Sequence, residues 1–126
     1  MRIRGVMMAY KIAVASSDGK IIDQHFGRTT EFLVFEVEDN NYKFLELRKA
    51  HHFCNNGGHD DNRLLTSVET LEGCRAVLVA QIGNGAVRVL RSRGIEAFDI
   101  QDYIENALKK LIKYYSKIDV VRTREA

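Results

Sequence analysis

The sequence predicts an α/β domain, one mixed sheet with helices packed on its faces. Two observations carry that reading. Short apolar runs, some filling both side-chain parities, are punctuated by Asp, Asn and Gly. From about residue 60 onward such runs alternate with segments of helical apolar spacing. With 126 residues the chain makes one domain, and that length suffices for a core without disulfide staples.

Tyr10–Ser16 is an apolar run stopped by Asp18-Gly19, a strand followed by a turn. Ile21-Ile22 adds a brief extended piece. Glu31–Glu38 has apolar residues at both parities and reads as a central strand. Asp39-Asn40-Asn41 is turn chemistry. Tyr42–Arg48 then alternates, with Lys43, Leu45 and Leu47 on one face and Tyr42, Phe44, Glu46 and Arg48 on the other, so Glu31–Arg48 is a hairpin.

A polar loop, Ala50–Asp60, leads to a helix capped by Asp60 or Asp61, with Leu64, Leu65, Val68 and Leu71 at helical spacing and Gly73 past its end. Arg75–Gln81 holds Ala-Val-Leu-Val-Ala, a buried strand. Gly83-Asn84-Gly85 opens a second helix, with Ala86, Val89 and Leu90 inward and Gly94 as its stop. Ile95–Ile100 is the last strand. Ile104, Ala107, Leu108, Leu111, Ile112 and Tyr115 then form a helical core stripe, with Asp102 near the N-terminus. The order β-β-β-α-β-α-β-α, a meander followed by two crossovers, is that of a ribonuclease-H-like three-layer fold with strand order 3-2-1-4-5. The domain is expected over residues 9–119, with 1–8 and 120–126 as loose tails.

Composition excludes several functions. The formal net charge is +2, but Arg2, Arg4, Arg122 and Arg124 sit at the ends. Without residues 1–8 and 120–126, 15 basic residues face 16 acidic ones, which gives no basis for nucleic-acid binding. No stretch approaches the ~18 apolar residues of a membrane span, and the start lacks the apolar core of a signal peptide. A cytoplasmic protein is expected, with its two cysteines reduced. The ribonuclease-H-like order raises a two-metal nuclease, but the first strand has no carboxylate to hold the ions.

The His and Cys distribution is more informative. His51, His52, Cys54 and His59 occupy nine residues of one Gly-containing loop, and the fourth histidine, His25, lies in Asp-Gln-His-Phe-Gly (Asp23–Gly27). Imidazole and thiolate bind Zn, Cu, Fe and metal–sulfur clusters. The paired Cys-x-x-Cys knuckles of a zinc finger are missing, and a polar loop with incidental histidines is the competing reading. Cys74, beside the buried fourth strand, reads as a core residue. The turn Gly83-Asn84-Gly85-Ala86 offers free backbone N–H groups and a helix dipole to an anion, without a nucleotide-binding fingerprint. No nucleophile elbow or acid–base pair stands out.

Ile12–Gly19, the Asp-Gln-His-Phe-Gly motif, the Phe-rich strand Phe32–Val37, Leu71–Val79, Ile82–Ala86 and Val89–Ile95 follow one another in an order that resembles the NifX, NafY and NifB C-terminal family, the dinitrogenase iron–molybdenum cofactor domain. The resemblance covers about Tyr10 to Tyr115. It implies a ribonuclease-H-like fold and the binding and carriage of the iron–molybdenum cofactor, its precursor, or a related molybdenum–copper sulfide cluster between assembly and acceptor proteins. It implies His25 as first-choice ligand, and a bare binding domain without the radical-SAM domain of full NifB. Cys54, His51, His52 and His59 are candidate further ligands on their chemistry, outside the shared motif. Arg28 and the backbone of Gly83, Asn84, Gly85 and Ala86 are candidates to offset the cluster's charge. The leading expectation is a non-catalytic cluster carrier. The alternative is a module binding a partner protein or small anionic metabolite without a cluster.

Overall fold

The computed structural model describes residues 9–50 and 60–125. The expected N-terminal tail and four of the candidate ligands, His51, His52, Cys54 and His59, lie outside the described residues. Five strands form one sheet in the order β3-β2-β1-β4-β5. They are β1 (Tyr10–Val14), β2 (Glu31–Glu38), β3 (Asn41–Lys49), β4 (Ala76–Val79) and β5 (Glu96–Asp99). The helices are α1 (Asp60–Thr70), α2 (Asn84–Ser92) and α3 (Ile104–Glu125). β1 is central, antiparallel to β2 and parallel to β4, so Ala13 faces Val34 on one side and Val77 on the other. β5 extends the parallel half.

Side-chain alternation along β1 and β4 divides the core into two layers. Ala13, Ala15, Val77 and Val79 pack with Val68, Leu71 and Leu90 beneath α1 and α2. Ile12, Val14, Ala76 and Leu78 pack with Leu108, Leu111 and Tyr115 beneath α3. This is the expected three-layer arrangement, with the expected strand order.

Three readings are corrected. First, the β2–β3 ladder shifts register between Val34 and Phe35, whose partners are Glu46 and Phe44. Leu45 is left as the extra residue of a bulge. The bulge reverses the parity of half the strand, so Leu47 shares a face with Phe44 and Tyr42, while Glu46 and Arg48 join Lys43. Second, Leu65 is 44% exposed. Leu64, Val68 and Leu71 already fill the inward stripe, and Leu65 falls 100° away from Leu64. Third, the backbone of α3 runs to Glu125 where a loose tail was expected over residues 120–126. No Gly or Pro follows Tyr115 to stop it, and Ile118 packs against the core.

Asp119 also holds that part of α3. The Arg75 guanidinium, just before β4, donates to both Asp119 carboxylate oxygens, Nη1 at 3.0 Å and Nη2 at 2.8 Å. Its carbon lies 3.7 Å from the Tyr115 ring centroid and 4.7 Å from that of Tyr10. The Tyr115 hydroxyl donates to Glu96 at 2.7 Å, and burial with this carboxylate beside it pushes the phenol far up. A cation between two rings and a bidentate carboxylate contributes more than an isolated surface pair. Arg75→Ala is expected to lower stability by about 1–3 kcal/mol in urea denaturation. Arg75→Lys should recover only part of this, because an ammonium cannot make the two-pronged contact.

Candidate functional site

The central strands β1 and β4 are parallel neighbours whose chains leave in different directions. β1 leads through a loop to the antiparallel β2, and β4 leads into α2. Such a divergence opens a crevice beyond the carboxyl ends of the strands. Two segments occupy that edge, the loop Ala15–Thr30 and the turn into α2.

The loop is fixed by its own carboxylates. Ala15 N–H donates to Leu78 O at 2.9 Å and continues the β1–β4 ladder by one step. The Asp18 carboxylate accepts from the N–H groups of Lys20 (2.8 Å) and Ile21 (3.0 Å). These bonds, made to the ionised form, hold its carboxyl below the usual Asp value. Gly19 takes the left-handed φ of +79° that this tight turn requires. Asp23 clamps Ser17, accepting its N–H at 2.9 Å and its hydroxyl at 2.6 Å.

The motif histidine follows two residues later. Its backbone is strapped to the exit of β4. Ala80 N–H donates to Gln24 O and Phe26 N–H donates to Gln81 O, each at 2.9 Å, and His25 pairs with Gln81 as a one-residue parallel bridge. Phe26 is buried, its ring centroid 6.0 Å from that of Phe32. A single 3₁₀ turn, Phe26–Arg28, follows. His25 O accepts from Arg28 N–H at 3.0 Å and from Thr29 Oγ1 at 2.7 Å. The backbone of His25 is therefore held on both sides while the residue itself is exposed. That combination gives a placed histidine open to solvent.

Gln81 is two residues before Gly83, the N-cap of α2. No side chain caps this helix, and its first turn has no acidic residue. The N–H groups of Asn84, Gly85 and Ala86 have no hydrogen-bond partner among the described residues. Gly83 has φ −81°, open to any residue, and a Cβ placed on Gly83 or Gly85 would meet nothing within 4 Å. The backbone is thus bare and approachable, with the positive end of the helix dipole exposed. Arg28 is exposed and forms no ion pair among the described residues.

The structure therefore brings His25 and the Gly83–Ala86 turn to one edge of the sheet, with Arg28 three residues from His25. The segment carrying His51, His52, Cys54 and His59 has its flanks at this edge too. Ala50 N–H donates to Thr30 O at 2.8 Å, and α1 packs on the Phe26–Arg28 turn. Among the described residues no three His, Cys, Asp or Glu side chains converge as a metal site. Cys74 is buried, and burial pushes its thiol up, as suits a core residue. Sequence reasoning missed the clamping role of Asp23. Its only signal was an Asp inside the histidine motif, with Ser16-Ser17 six to seven residues before it.

The family model for the dinitrogenase iron–molybdenum cofactor matches residues 8–114. The chain belongs to this family. The domain is 40% identical over 104 residues to the FeMo cofactor biosynthesis protein NifB of Rhodobacter capsulatus, covering 81% of this chain and 23% of that protein. It is 30% identical over 92 residues to the protein NifX of Azotobacter vinelandii, covering 73% of this chain and 57% of NifX. The chain thus spans about a quarter of that NifB. Among solved structures, PH0822 superposes with a TM-score of 0.63 at 22% identity, over 82% of this chain and 90% of the other. The candidate dinitrogenase mj0327 of Methanocaldococcus jannaschii superposes at 0.55 and 18% identity, over 85% and 91%. Both share the fold of this family domain.

Asp23→Ala is expected to lower stability by about 1 kcal/mol and to speed amide exchange at Ser17. Asp18 has a lowered folded-state pKa, so its contribution is complete above the ordinary Asp value of about 3.9. It is lost as pH falls through the lower folded value. The amide resonances of Lys20 and Ile21 should therefore titrate together, with a midpoint below that of an unstructured Asp peptide.

Proposed function

We propose that this domain carries an anionic metal–sulfur cluster of the iron–molybdenum cofactor type, receiving and handing it over rather than transforming it. The observation that carries the reading is the exposed, backbone-pinned His25 beside the uncapped N-terminus of α2. His25 ligates metal, and the N–H groups of Asn84, Gly85 and Ala86, with Arg28, offset the cluster's negative charge. Cys54 and one or more of His51, His52 and His59 serve as further ligands.

A structural zinc ion needs four ligands from the protein, whereas a preassembled cluster brings its own sulfide ligands. An exposed donor also makes release easier, which a carrier requires. The family membership and the names of the relatives, FeMo cofactor biosynthesis protein among them, agree with this cargo. The natural partners are then the proteins that build the cluster and those that accept it, within the cytoplasm.

Anaerobic titration with isolated iron–molybdenum cofactor, followed by its optical spectrum, tests the reading. Wild type should bind, His25→Ala should bind at least about tenfold more weakly, and Cys54→Ser should release the cluster faster. Equal binding by wild type and His25→Ala would remove His25 from the site. No binding by wild type, with retained affinity for a small anion such as molybdate, would favour an anion-binding module instead.

A further inference from the structure

The α3 side of the sheet carries a second feature that does not depend on the cluster reading. α3 covers β1 and β4 but leaves the β2–β3 hairpin partly bare on the same side. The β3 bulge places Tyr42, Phe44 and Leu47 on this bare face, and Phe44 is 55% and Leu47 44% exposed. Phe35 packs edge-on against both aromatic neighbours, 5.9 Å from Tyr42 and 5.8 Å from Phe44. Tyr103, 59% exposed, stands at the head of α3.

Between hairpin and helix lie two open cavities that share Tyr42. One, of about 440 Å³, has Tyr42 and Ile112 in its lining, with Lys109 and Lys113. The other, of about 470 Å³, has Phe35, Tyr42, Tyr103 and Ile104, with Lys20 and Glu105. Together they form a groove with aromatic and aliphatic walls. Its charged lining is three lysines against one carboxylate, and that carboxylate already pairs with Lys109 at 3.0 Å. Lys20 and Lys113 make no ion pair among the described residues.

We infer that this groove docks an acidic amphipathic segment of a partner protein. Apolar side chains of that segment fill the two cavities, and its Asp or Glu residues meet Lys20, Lys109 and Lys113. Large exposed apolar patches mark interaction sites, and aromatic anchors in such a patch dominate affinity. The uncompensated lysines set the sign of the partner. A second copy of this chain fits less well, because an isologous contact lines both sides with the same basic rim. The aromatic walls and the carboxylate distinguish the groove from a phosphate track.

A random 16-residue peptide display library selected on the full chain tests this. Enriched peptides should combine Asp or Glu with two or more Phe, Leu, Ile or Trp. Their affinity should fall at least tenfold for Lys20→Glu/Lys113→Glu and for Phe44→Ser, whose side chains are exposed and whose fold is checked by circular dichroism. The same affinity should weaken as salt rises. Four results would overturn the inference: no enrichment, enrichment of basic peptides, peptides indifferent to both variants, or equal binding of a dT16 oligonucleotide lost on the same substitutions. Cluster titration of Lys113→Glu and of Phe44→Ser should match wild type, which separates this surface from the His25 site.

Discussion

Two backbone hydrogen bonds, Phe26 N–H to Gln81 O and Ala80 N–H to Gln24 O, tie the histidine loop to the end of β4. Most of what the candidate site can do depends on them. They are possible because β1 and β4 run parallel and the chain after β1 doubles back across the end of its neighbour before forming β2. Without the strap, His25 would be one exposed histidine on a sixteen-residue connection. With it, the imidazole is carried on backbone fixed by Asp23, Phe26 and Thr29, two residues of β4 exit away from an uncapped helix. A rigid base with an exposed donor combines placement with exchange, two demands that conflict if the donor is buried.

The other face of the sheet is organised by a different constraint. α3 is one long helix against a sheet that twists, and it cannot cover all five strands. It is held at its start, where Ile104 N–H donates to Lys20 O, and further along by the Arg75–Asp119 pair and the Tyr115 stack. Fixing the helix over β1 and β4 leaves the β2–β3 hairpin open on that face. The aromatic groove follows from this placement together with the bulge at Leu45. The two surfaces thus differ in character. The strand edge offers bare backbone and an imidazole, the α3 side apolar cavities edged by lysine.

The sequence made the architecture legible because its signals were local. Apolar runs such as Ala76–Val79, the turn residues Asp39-Asn40, and the stripe from Ile104 to Tyr115 each declare an element without reference to the rest of the chain. Strand order followed from connection rules applied to that list. His25 and the Gly83–Ala86 turn were legible as candidates from their chemistry and from the family motif, but their adjacency rests on a one-residue bridge that no spacing encodes. Apart from the facing of Leu65, the features that escaped are non-local. The bulge depends on how β3 registers against β2, the length of α3 on a partner forty-four residues away at Arg75, and the role of Asp23 on a contact with Ser17 across a turn. Composition suggested that basic charge belonged to the ends. In the fold, near-neutral overall charge coexists with a local excess of lysine along one groove.

The central claim is that cargo is held through the imidazole of His25. Metal-edge X-ray absorption on the protein loaded anaerobically with iron–molybdenum cofactor tests it most directly. An imidazole scattering shell should be present in wild type and fall in amplitude in His25→Ala, with the sulfide shell of the cluster unchanged. An imidazole shell of equal amplitude in both proteins, or none in wild type despite bound cluster, would contradict it.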